Sequence, residues 1–231
     1  MPARSSRRTL PARSLRGVCG TSRARPAFTL IETAMALIII GVGVVAMVDA
    51  QQAFIRSNTW SSQAATATFL AGEVREFCRT LDRHDPVTGM YQEGGSLVGW
   101  GPEVGEVTVQ DYDDLDDFDG VEFGTLGDFD GPINAYGEII PHLNPDGTVA
   151  LDPGTGEPLP MIGWSQRVEV VKISPFDAGT PLAPDYTDPP SGSFEGREVD
   201  DFPLLVTVIV EYQGAYDPSP QEVVRIVWIA P

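Results

Sequence analysis

The chain has 231 residues, 42% of them hydrophobic, with 20 prolines. That length buries one modest core and argues against a large multidomain enzyme. Its net charge of −18 is unevenly laid out: Arg4, Arg7, Arg8, Arg13, Arg16, Arg23 and Arg25 precede Phe28 with no acid among them, so the remainder holds 33 acids against 8 bases. A head of that sign repels phosphate backbones, which sets direct nucleic-acid binding aside.

Residues 1–27 form a basic leader containing Cys19; the other cysteine, Cys78, falls in a helical stretch. Removal of the leader would leave Cys78 without a partner in the chain, so no structural disulfide is expected. His84 and His142 stand apart from any Cys/His metal spacing and read as surface or loop residues.

Residues 34–48 (AMALIIIGVGVVAMV) are uncharged. As a helix, 28–48 would reach roughly 30 Å, the thickness of a bilayer core. The arginines then stay on the cytoplasmic side, which places the acidic bulk across the membrane.

Three readings compete for this segment. One is a cleaved signal peptide, with Val48-Asp49-Ala50 as a small-x-small site. Against it stand the long basic region, the carboxylate of Glu32 and a helical pattern that runs past Ala50. The second is a plain single-pass anchor with Glu32 incidental near the interface. The third makes Glu32 the point of the segment, because an ionisable group in a membrane span costs several kcal/mol, about 2.5–3.5 on insertion scales, unless it is paired. A cut between Ala27 and Phe28 would create an amine one helical turn before Glu32, in the same subunit or an axially offset neighbour.

The run Ala27-Phe28-Thr29-Leu30-Ile31-Glu32-Thr33, between a basic leader and an apolar helix, resembles the prepilin cleavage and N-methylation motif of type IV pilins and type II secretion pseudopilins. The resemblance implies that a prepilin peptidase and N-methyltransferase cuts between Ala27 and Phe28 and methylates Phe28. It also implies that Glu32 supports assembly, and that other pilin or pseudopilin subunits and an inner-membrane platform are partners. The chain departs from the family at Ala27, where Gly is usual, and in its long leader.

Beyond the span, Trp60, Ala64, Ala67, Ala71, Val74, Cys78 and Leu81 recur at alternating steps of four and three, widened by Leu70 and Phe77. This is one stripe of an amphipathic helix, expected to end near Asp82 to Pro86 and to pack on the head's own sheet. A coiled-coil partner is the competing reading, disfavoured by the alanines. Residues 89–163, rich in Gly, Pro and Asp, should be irregular with a few short strands. Strands are predicted over 168–173, 204–212 (LLVTVIVEY) and 223–229 (VVRIVWI), the last two as an antiparallel hairpin. Residues 174–203, with six prolines, read as a long surface loop.

Within residues 111–120 (DYDDLDDFDG), six aspartates fall in nine positions. Calcium is one reading, with Asp114, Asp116, Asp117 and Asp119 as candidate ligands, although the spacing fails an EF-hand. The favoured reading is a solvated acidic turn pinned to the core by Tyr112, Leu115 and Phe118. The stretch also resembles an aspartate-rich segment of minor pilin-like proteins of the mannose-sensitive haemagglutinin pilus. No nucleophile elbow, phosphate loop or paired carboxylates in a pKa-shifting setting are read from the sequence, so no enzyme is expected.

The expected fold is therefore α+β: leader 1–27, apolar helix 28–49, amphipathic helix 50–85 packed on an antiparallel sheet, and a loop-rich head over 86–231. The expected protein is a minor subunit of a type IV pilus or type II secretion pseudopilus, held in the inner membrane with its head outside the cytoplasm and needing no cofactor. The competing expectation is a tethered or secreted binding module whose acidic loops take calcium or a surface ligand.

Overall fold

The computed structural model describes residues 29–231; Ala27, Phe28 and the rest of the leader, with the expected cleavage and methylation positions, lie outside the described residues. The described chain is α+β, with a single long helix α1 (Leu30–Cys78) followed by short strands and an antiparallel sheet. It divides into two compact units after Ala53.

No proline interrupts α1, and Thr29 starts it: the Glu32 amide donates to the Thr29 carbonyl at 3.0 Å and to Thr29 Oγ1 at 3.4 Å. In the first unit every helical side chain from Leu30 to Ala53 is exposed, Leu37, Ile38, Ile39 and Ile40 included. The helix is long and apolar enough to cross a membrane.

In the second unit the helix changes character. Ala67, Leu70, Ala71, Val74 and Cys78 are fully or almost fully buried, as the sequence periodicity predicts, whereas Trp60 at the start of the same stripe is exposed. Buried contact therefore begins near Ala64 rather than at Trp60. The helix also stops earlier than expected, at Cys78. Thr80 and Leu81 close onto the carbonyls of Phe77 and Cys78 at 3.1 and 3.3 Å, and Asp82 then leaves to pair with the acidic turn, its carbonyl accepting from Leu115 N–H at 3.0 Å.

A small hairpin joins β1 (Tyr91–Glu93) to β2 (Ser96–Val98). The main sheet contains β3 (Glu122–Phe123), β4 (Trp164–Ser174), β6 (Leu204–Tyr212) and β7 (Gln221–Ala230) in that order, with β5 (Asp177–Pro181) on the end of β4, all neighbours antiparallel. The predicted hairpin is β6–β7, interrupted by a bulge at Val210/Glu211. Alternation from Trp164 to Lys172 turns Trp164, Gln166, Val168, Val170 and Lys172 inward and leaves Ser165, Arg167, Glu169 and Val171 half-buried on the other face, until Ile173, also buried, breaks the pattern.

Two of those inward residues are polar and both act as ties. Gln166 Nε2 donates to the carbonyls of Leu70 in α1 (2.8 Å) and Ile133 (3.1 Å), while its Oε1 accepts from Ile133 N–H (2.7 Å). Lys172 Nζ donates to the carbonyls of Pro184 and Tyr186, each at 2.8 Å, and lies 4.7 Å from the Phe202 ring centroid. The segment 174–203 is accordingly no wandering loop. Its first part pairs as β5, and Lys172, the Arg83 donation to the Phe202 carbonyl and the Asp188/Arg197 bridge hold the remainder.

Gln166→Leu keeps the volume but strips the Ile133 amide and carbonyl of their buried partner, so urea denaturation should show a loss of about 2–4 kcal/mol.

Candidate functional site

The apolar helix presents a single carboxylate, Glu32, in its first turn. Thr29-Leu30-Ile31-Glu32 has the form of a capping box. Its forward half is formed by Glu32 N–H on Thr29 Oγ1. The residue therefore has an ordinary helix-starting role as well as a charge in an apolar setting, and a test of the charge must preserve the cap.

The second site is the acidic turn of the head. Its aromatic pins sit as the sequence predicts: Phe118 is fully buried, with the Tyr112 and Phe77 rings at 5.1 and 5.6 Å from it, edge-on, and Leu115 is buried beside them. The expectation of a solvated turn is overturned by the aspartates. Asp116 and Asp117 have 0% exposure and Asp114 has 1%. The aromatic residues that anchor the turn pull the intervening carboxylates into the interior with them.

Backbone amides compensate part of this burial. Asp114 Oδ1 accepts from the N–H groups of Asp116 (2.9 Å) and Asp117 (3.1 Å), opening the 3-10 turn Asp116–Phe118. Asp117 Oδ2 accepts in return from Asp113 and Asp114 N–H at 3.2 and 3.4 Å. Asp116 Oδ2 lies 3.2 Å from His84 Nδ1, and both side chains are buried. His84 lies in a loop, one of the two placements read from the sequence, but its side chain is an interior partner of a carboxylate and not a surface group. Asp119, by contrast, is exposed, and its Oδ1 accepts from Val170 N–H at 3.0 Å.

The residues that converge differ from the candidate ligands read in sequence. One carboxylate oxygen each of Glu103, Asp114 and Asp117 lies within 4.8 Å of the other two, and Glu106, Asp113 and Asp117 form a second such trio. Asp116 and Asp119 belong to neither. Glu103 and Glu106 come from a Gly- and Pro-bounded segment (GPEVGE) whose only sequence signal was a pair of acids in a turn-forming stretch. They are fixed to each other by Glu106 Oε2 accepting from Glu103 N–H at 2.8 Å.

Comparison with family models, with curated proteins and with solved structures gives no match to this chain.

Burial and mutual repulsion favour protonation here. Desolvation, followed by the proximity of Asp116, pushes the Asp114 carboxyl up to about 9. Desolvation and then Asp114 push Asp117 up to about 7. Desolvation and then Asp117 push Glu103 up to about 7. Asp116 rises to about 6, chiefly by burial. Burial works oppositely on the bases, lowering His84 to about 4 and Lys172 to about 8.

Raised carboxyl pKa values mean that the folded state holds protons the unfolded chain releases, so stability falls as pH rises through them. Between about pH 6.5 and 8, above the proton exchange of His84 and below that of Lys172, the melting temperature of the chelator-treated protein should therefore decrease with pH. Asp117→Asn should flatten that slope in a series of thermal melts.

Proposed function

We propose that the protein is a structural subunit of a type IV pilus or type II secretion pseudopilus. It is processed by a prepilin peptidase, held in the inner membrane by its apolar helix with the head outside the cytoplasm, and built into a filament through that helix. The supporting observation is the exposed apolar helix whose first turn, directly after the Ala27-Phe28 junction, carries one carboxylate. In a bundle of such helices the exposed Leu, Ile and Val side chains exchange lipid for one another. The Phe28 amine of one subunit then compensates Glu32 of another or of its own. The amphipathic continuation and the sheet provide a rigid head, and its role is architectural rather than catalytic.

The buried acidic cluster favours a second reading, a membrane-tethered binding module that never enters a filament. Filament incorporation separates the two readings, and Glu32 tests how it is achieved, provided the capping box is kept. Glu32→Gln retains length and capping but removes the charge. Incorporation into filaments, measured by shear fractionation and immunoblotting, should fall by about tenfold or more, as expected when a charge compensation of a few kcal/mol is lost, while membrane levels stay constant. Absence of the wild-type protein from the filament fraction would favour the tethered module, and unchanged incorporation of the variant would remove the assembly role of Glu32. Mass spectrometry of the mature N-terminus should find N-methylated Phe28; a chain starting at Gln51 would replace both readings with ordinary secretion.

A further inference from the structure

Asp117 is the common member of both carboxylate trios and has 0% exposure. Its Oδ2 is held by two backbone amides, whereas its Oδ1 is buried and accepts no hydrogen bond from any described residue. Glu103 Oε2 is buried and bare in the same way. None of the ion pairs among the described residues reaches Glu103, Glu106, Asp113, Asp114 or Asp117. Buried acceptors without donors are costly, and converging carboxylates add mutual repulsion.

We propose that Glu103, Asp114 and Asp117, extended by Glu106 and Asp113, form a calcium site. The donor set is all oxygen, which suits a hard cation and not zinc or copper. The number of carboxylates selects among the hard cations. Five carboxylates in two trios that share Asp117 suit calcium, which takes six to eight oxygens in a flexible shell, whereas magnesium keeps several waters and is held by one or two carboxylates. The two amides on Asp117 Oδ2 aim its other oxygen, as outer-sphere partners commonly orient a ligand. Bound calcium would tie the segment at 103–106 to the turn at 113–117, converting repulsion into a cross-link in the head. This site is independent of filament assembly and would serve either reading of the function.

The test uses the full chain in detergent, stripped with chelator. Addition of CaCl2 to about 2 mM should raise the melting temperature by about 5 °C or more, with a smaller shift from MgCl2. Calorimetric titration with CaCl2 should give saturable binding. Glu103→Gln and Asp117→Asn should each weaken calcium binding by about tenfold or more, while Asp146→Asn, an exposed acid elsewhere, should leave it unchanged. Glu103 is half-buried, so its variant is the safer one to fold and locates the site if Asp117→Asn does not accumulate. Absence of binding heat and of a thermal shift in the wild type would overturn the site. So would binding that survives Glu103→Gln undiminished.

Discussion

The amide of Gln166 is the contact on which the head depends. It joins the helix, the central sheet and the long irregular segment, through Leu70, its own strand β4 and Ile133. Such a tie requires close approach, and the helix permits it by placing Ala67 and Ala71 on the buried face. Larger side chains there would lift Leu70 away from the strand. The buried apolar side chains of β4 and β6 complete that layer.

The acidic turn is positioned by the same packing. Phe118 contacts Phe77 from the helix and Phe123 from β3, and Val121 and Gly120 pair with Val168 in β4. With Leu115 and Phe118 fixed in the interior, Asp114, Asp116 and Asp117 are buried with them, whereas Asp113 and Asp119 stay exposed. The resulting cluster is a local conflict between apolar packing and charge. Protons resolve it at low pH, and in the proposed site a cation resolves it at neutral pH. A cross-linked head is compatible with a filament subunit placed outside the cytoplasm, where millimolar-range calcium sites operate.

The apolar helix carries a different kind of constraint. Its side chains are exposed from Leu30 to Ala53, and it is long and apolar enough to cross a membrane. Glu32 then has a local use and, in the proposed filament, an intermolecular one. The capping half-bond to Thr29 is local, and the compensation of charge between subunits belongs to the proposed filament.

Much of this was legible along the chain because it is periodic or local. The uncharged run at 34–48 spells an apolar helix, the three–four spacing at 64–78 spells a buried stripe, and the β-branched runs at 204–212 and 223–229 spell paired strands. Tyr112, Leu115 and Phe118 announced the anchoring of the acidic turn by their own spacing. Tertiary structure alone decided that Asp114, Asp116 and Asp117 are buried, that Glu103 and Glu106 join them, and that His84 faces Asp116. It also decided that the helix stops at Cys78 to let Asp82 pair, and that Lys172 straps down the proline-rich segment. The division has a physical reason. Periodicity records which face of an element meets apolar surroundings, whereas the protonation and partners of a polar group depend on segments that are distant in sequence and adjacent only after folding.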